Sequence, residues 1–173
     1  LNILKKDLKS NYLPIIAEDL GVITKDVELL RDNFALPGMK ILQFAFDGNE
    51  NNPYLPKNIE GENWVVYTGT HDNSTSTSWW QHLENHVKDY IRDEYNFSDN
   101  PSWNLIEIGM KTKANLFISP IQDILSLDDS SRLNTPGTIK DNWKWKLNNN
   151  LDEIDINLQK YNELANSYGR LIN

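Results

Sequence analysis

The stretch Trp64-Val65-Val66-Tyr67-Thr68, running straight into Gly69-Thr70-His71-Asp72-Asn73, carries the reading of this sequence. Apolar and β-prone residues stopped by a glycine and a polar tail have the length and composition of a strand ending in a loop. Runs of the same kind recur on both sides. Upstream lie residues 39–46 (MKILQFAF) and residues 14–17 (PIIA), the latter a fully apolar run that ends at Glu18-Asp19-Leu20-Gly21. Downstream, residues 114–118 (ANLFI) lead into Ser119-Pro120-Ile121-Gln122-Asp123. Leu1 is read as standing directly in front of the first of these strands, with chain missing ahead of it.

Between the runs, apolar residues fall at helical spacing. Thr24 is read as an N-cap, with Asp26 and Glu28 in the first turn and Val27, Leu30 and Phe34 on one face, until Leu36-Pro37-Gly38 breaks the helix. Trp80, Leu83, Val87 and Tyr90 mark a helical region over residues 76–95 with room for one break, and a further helix starts near Ser102 with Leu105, Ile106 and Met110. Leu151, Ile154, Leu158, Tyr161, Ala165 and Tyr168 predict a last amphipathic helix, with Asp152 and Glu153 in its first turn and Gly169 just past its end. Asn49, Asn51, Asn52, Pro53 and Pro56 make a loop. The class is α/β, a single domain over residues 1–173. Four parallel strands fit an open sheet or half of a closed barrel, and the pattern alone does not choose.

Composition narrows the function. A length of 173 residues with 39% hydrophobic and 24% charged side chains is enough to bury a core. No apolar run is long enough to cross a bilayer and the front of the chain does not read as a secretion signal, so no membrane partner and a cytoplasmic location are expected. The absence of cysteine removes disulfides and thiolate chemistry. A formal charge of -8 repels a phosphate backbone, which excludes nucleic acid as a partner. Six tryptophans and seven tyrosines offer flat faces for sugar rings, though aromatics also fill cores.

Reactive residues of parallel α/β folds gather at the carboxyl ends of strands. By that rule Glu18, Asp47 and Asp72, the last flanked by His71 and Asn73, are the candidates. Carboxylates on one rim suit chemistry on a sugar acetal, where one acid protonates the leaving oxygen and another carboxylate faces developing positive charge. Plainer readings stand beside this one. A strand-end acid is often a cap or surface charge, Asp19 is a better cap than Glu18, and a lone His71 is often a hydrogen-bonded structural residue. His82 and His86 have i, i+4 spacing, but residue 83 is leucine, so HExxH is not met and the pair reads as a solvated helix face. Neither GxGxxG nor GxxxxGK[ST] occurs.

Several of these motifs, in order, resemble the amylomaltases and disproportionating enzymes, the 4-alpha-glucanotransferases of glycoside hydrolase family 77. They are residues 16–21 (IAEDLG), Leu36-Pro37-Gly38-Met39-Lys40 leading to residues 43–46 (QFAF), and residues 67–73 (YTGTHDN) with Trp79-Trp80. Further on come residues 120–123 (PIQD), residues 132–138 (RLNTPGT) and Asn142-Trp143-Lys144-Trp145. The resemblance runs from about Pro14 to Leu147. It implies that the chain is the carboxyl-terminal half, strands 5 to 8 with their helices, of a (β/α)8 TIM barrel. It also implies a transferase of starch, glycogen or maltodextrin metabolism that moves a segment of alpha-1,4-glucan to the 4-hydroxyl of an acceptor.

By the same resemblance Glu18 matches the general acid/base and Asp72 the transition-state-stabilising aspartate. His71 matches a residue that hydrogen-bonds sugar hydroxyls, and Asp47 and Asn73 are further substrate contacts. The family retains configuration through a covalent intermediate on an aspartate in an Arg-x-Asp-His segment. No such segment occurs in this sequence. The 173 residues alone are therefore expected to be inactive. Ser74 stands where the family usually has Asp, and Ser78 where Gly is common. No cofactor or metal is implied. The expected partners are a maltooligosaccharide or alpha-1,4-glucan and the amino-terminal half of the same protein. Two rival readings are a non-catalytic half-barrel that associates with itself through open strand edges, and an inverting glycoside hydrolase using Glu18 and Asp72.

Overall fold

The computed structural model describes residues 1–148 and 150–171. Its centre is a parallel sheet of three strands, β1 (Gly38–Ile41), β2 (Trp64–Tyr67) and β3 (Leu116–Ile118), in that order. Gly38 pairs with Trp64 and Ile41 with Tyr67, while Val65 pairs with Leu116 and Tyr67 with Ile118. The helices are α1 (Asn2–Leu8), α2 (Lys25–Asn33), α3 (Ser76–His82), α4 (Asn85–Tyr95), α5 (Pro101–Lys111), α6 (Ile121–Ile124) and α7 (Leu151–Ser167).

The predicted alternation is present, with two corrections in the strands. Residues 14–17 do not form a strand: Ile15 N–H turns back to Leu13 C=O at 2.8 Å, and Ala17 N–H ties the segment to Pro37 C=O at 2.8 Å. A fully apolar run is therefore not sufficient for a strand, because the ladder also needs a partner along its whole length. The run over residues 39–46 keeps strand geometry only to Ile41. Residues Leu42–Phe44 then tighten into a 3-10 turn, which buries Leu42 and Gln43. The front of the chain is helix α1, which sequence patterning did not mark; none of its residues is buried.

Helix α5 holds the molecule together. Pro101 occupies its first turn and the Asn100 side chain caps it by accepting from Trp103 N–H at 3.2 Å. Leu105 and Ile108 enter a core with Leu42, Phe46, Leu55, Val66, Ile91 and Phe97, against which Trp79 and Trp80 pack. Ile106 and Met110, on another face, join Trp103, Ile124 and Ala165 in a second cluster under α7. The predicted α7 stripe is correct in period but only partly buried: Ile154 and Ala165 are buried, whereas Leu151 and Leu158 are exposed. Arg170, just past the left-handed Gly169, donates to the carbonyls of Met110, Thr112 and Ala114 and so ties the end of α7 to the end of α5.

Contact between α5 and β3 is close enough to reverse an ordinary propensity. Gly109 lies in α5, where alanine would favour the helix by about 1 kcal/mol. A Cβ at that position would collide with the Phe117 ring. Gly109→Ala should therefore destabilise the chain by about 1–3 kcal/mol, read as a lower urea midpoint. An unchanged or higher midpoint would mean that the ring yields without cost.

The two helices over residues 76–95 meet at Leu83, the C-cap of α3, so His82 and His86 sit on different helices. His82 Nδ1 lies 2.7 Å from Ser78 C=O and His86 Nδ1 is 3.3 Å from Glu84. The two imidazoles thus do not share a helical turn.

Candidate active site

The turn after β2 is built by side chains biting back on the backbone. A Cβ on Gly69 would lie 2.7 Å from Gln43 Nε2 and 3.2 Å from the Asn73 Cβ. Asn73 Oδ1 accepts from Thr70 N–H at 2.9 Å and from Thr70 Oγ1 at 2.8 Å, while Asp72 N–H donates to Thr70 Oγ1. The Asn73 oxygen, expected at the substrate, is thus committed to shaping the turn. His71 and Asp72 are carried outward on it, both about half exposed, with His71 Nε2 3.3 Å from Asp72 Oδ1.

A second strap, residues 132–134, fixes that turn from outside. Arg132 donates to the Asp72 carbonyl at 2.6 Å, to Ser74 Oγ at 3.2 Å and to the Asn134 carbonyl at 2.8 Å. Asn134 Nδ2 donates to Asp72 Oδ1 at 2.6 Å, and Asn134 N–H to the His71 carbonyl at 3.2 Å. The Asp72 carboxylate is oriented by a neutral donor while half of it faces water. Ser74, one of the two departures from the family pattern, offers its hydroxyl to Arg132 and its carbonyl to Gln43 Nε2 at 2.9 Å.

Beneath the turn sits a buried carboxylate from the PIQD motif, for which the sequence alone suggests no role. Asp123 is 1% exposed and accepts from Thr68 Oγ1 at 2.5 Å, Ser76 N–H at 2.7 Å and Ser76 Oγ at 2.7 Å. It joins the end of β2 to the first turn of α3. Burial pushes its carboxyl above the ordinary range, against the pull of those donors. Asp129 repeats the device nearby, accepting from Thr75 N–H at 2.8 Å, while its own N–H donates to Ser78 Oγ at 2.9 Å. Ser78, the other departure, is thus a buried hydrogen-bond partner.

Gly69, His71, Asn73, Asp123, Arg132 and Leu133 border a cavity of about 70 Å³. That is room for ordered water among these polar groups.

Glu18 and Asp47 lie on neighbouring loops. Glu18 is exposed and its Oε1 accepts from Leu20 N–H at 3.1 Å. It is level with the start of β1 rather than its end, because Ala17 pairs with Pro37 and the next residue, Asp19, accepts from Met39 N–H at 2.7 Å. Asp19 caps no helix: its carboxylate is buried against Arg31 at 2.6 Å. This ion pair pins the residue next to Glu18. Asp47 is exposed, and the Asn52 amide and then the Asn49 N–H hold its carboxyl below the usual range. Gly21, Asp47, Asn49 and Tyr54 border one open cleft. The Tyr54 phenol is raised by burial first and then by the charges of Asp19 and Glu18. Phe44 packs edge-on against Tyr54 at 5.6 Å and adjoins Gln43, which reaches Ser74.

The two carboxylates differ in how they are held: Asp72 accepts from Asn134 Nδ2 across the strap, whereas Glu18 accepts from Leu20 N–H within its own loop. No group of three or more metal-ligating side chains occurs among the described residues. The residues missed from sequence are Asp123, Arg132, Asn134 and Trp143, whose motifs were visible but whose contacts link segments 47–72 positions apart.

The sequence profile of the 4-alpha-glucanotransferase family matches residues 1–152. The chain is 49% identical over 138 residues to a 4-alpha-glucanotransferase of Synechocystis, covering 78% of this chain and 27% of that protein. It is 44% identical over 163 residues to the chloroplastic/amyloplastic 4-alpha-glucanotransferase of Arabidopsis thaliana, covering 92% of this chain and 28% of that protein. Among solved structures, the amylomaltase of Streptococcus agalactiae in complex with acarbose superposes with a TM-score of 0.88 at 31% identity, covering 98% of this chain and 34% of that one. The chain thus spans between 27% and 34% of the length of these relatives.

Proposed function

Since the chain belongs to the 4-alpha-glucanotransferase family, glycoside hydrolase family 77, we propose that it supplies the acid/base and the electrostatic half of a retaining glucan transfer. The observation that carries this reading is the anchored turn, with Asp72 oriented by Asn134 beside His71, together with an exposed Glu18 whose carboxylate accepts from Leu20 N–H. Glu18 gives its proton to the departing glycosidic oxygen as a carboxylate elsewhere in the protein forms a glycosyl ester. It then takes the proton of the incoming 4-hydroxyl as that oxygen displaces the ester. Asp72 faces the positive charge that develops on the sugar ring in both steps. His71 and Asp47 bind hydroxyls, and Asn73 contributes by shaping the turn. These residues form one unit, the carboxyl-terminal half of a (β/α)8 barrel. The exposed apolar side chains of α1 and α2, including Ile3, Leu8, Leu29 and Leu30, suit a surface that the other half covers.

The 173 residues carry no Arg-x-Asp-His segment, so alone they should release no glucose from maltotriose. Set into the Streptococcus agalactiae amylomaltase in place of its matching third, they should support disproportionation of maltotriose into glucose and longer chains. Glucose release by the chain alone, or a folded hybrid without transfer, would remove this reading.

A further inference from the structure

Trp143 has no part in the function proposed above, yet the chain holds it in a conformation that needs support. It is 62% exposed, and its φ of 61° is left-handed, a region bulky side chains rarely occupy. The backbone is locked there from both sides. Trp143 N–H donates to the Leu133 carbonyl at 2.6 Å, and Asn142 accepts from Thr135 N–H at 2.9 Å while donating to Thr138 C=O at 3.0 Å. The result is an indole laid against the His71 imidazole, with ring centroids 5.0 Å apart and planes 40° apart. Burial would favour so large an apolar ring. This one is instead kept mostly in water, against the His71 ring, whose Nε2 lies 3.3 Å from the half-exposed Asp72.

We propose that Trp143 is a stacking platform for one glucose ring of an alpha-1,4-linked oligosaccharide. The indole face carries partial negative charge and takes the C–H face of the pyranose, whose polarised hydrogens complement it. The sugar hydroxyls then point sideways, toward His71 and Asp72. Arg132 and Asn134, in the same strap, fix the turn that the platform leans on, so the ring and the carboxylate are set by one segment. The inference rests on the proposed function for the identity of the sugar, while the geometry of the platform stands on its own.

The test is a titration of the 15N-labelled chain with maltotriose, following the indole N–H signals of its six tryptophans. The Trp143 signal should shift saturably, and glycerol at equal concentration should leave it in place. Trp143→Ala should raise the dissociation constant about tenfold and Trp143→Tyr should restore most of the affinity. Both variants should melt with the parent chain, because the ring is mainly exposed. A Trp143 signal that stays still, whether or not others move, overturns the platform, as does an alanine variant that binds as tightly as the parent. In the amylomaltase hybrid, the platform predicts a higher KM for Trp143→Ala with a smaller change in kcat. Transfer with an unchanged KM removes the platform and leaves the function standing. A chain that binds maltotriose through Trp143 but gives no transferring hybrid does the reverse.

Discussion

Glu18→Gln in the amylomaltase hybrid should lower maltotriose disproportionation by about a thousandfold, within the range that a positioned general acid/base supplies. Glutamine keeps the size of the side chain and can still accept from Leu20 N–H, the bond that Glu18 makes at 3.1 Å. What it loses is the proton. Stability should be untouched, because the side chain is exposed and its recorded hydrogen bond lies within its own loop. The neighbouring residue gives the contrast. Asp19→Asn weakens a buried pair with Arg31 and should act first on folding, since that carboxylate also accepts from Met39 N–H. A Glu18→Gln hybrid within tenfold of its parent would eliminate Glu18 as the proton donor.

Asp123→Ala should destabilise the chain by about 3 kcal/mol. Its removal leaves the buried Ser76 N–H without an acceptor and strips two hydroxyls of theirs, at the junction of β2 and α3. Asp123→Asn should cost only about 1 kcal/mol, because the amide oxygen still accepts from Ser76 N–H and the two hydroxyls can rotate to accept from its NH₂. Urea midpoints of the two variants measure the difference. Acid dependence gives an independent check. Burial raises the folded-state value of this carboxyl above the unfolded one of about 3.9, so the folded chain holds the proton more tightly. That contribution is complete below the unfolded value and is lost as pH rises through the folded value. In Asp123→Asn this part of the pH dependence should vanish. Equal midpoints for Ala and Asn would mean that the hydrogen bonds at Asp123 do not carry the junction.

Local pattern reached the element types because their periods are local. Helices α2 to α5 and α7 follow from apolar spacing and from caps such as Asn100 and Pro101. Helix α1 was missed because its apolar residues face water, which leaves no buried stripe to read. The run over residues 14–17 looked like a strand for the opposite reason: its residues suit one, but the ladder beside it is not formed. The site divides in the same way. Glu18, Asp47 and the His71–Asp72 pair were legible as carboxylates and imidazole after apolar runs. The bonds of Asn73 Oδ1 to Thr70, which shape the turn, become visible only in the structure.

The order of apolar runs and polar tails, with the motifs around Glu18 and Asp72, was enough by itself to establish the α/β class and the family, since both are properties of neighbours along the chain. Which side chains hold the site was decided only in three dimensions. Asp72 meets Asn134 across 62 positions, His71 meets Trp143 across 72, and Asp123 meets Thr68 across 55. A hydrogen bond or a ring contact acts over a few ångströms of space, and the sequence carries no measure of that distance until the sheet and α5 have closed it.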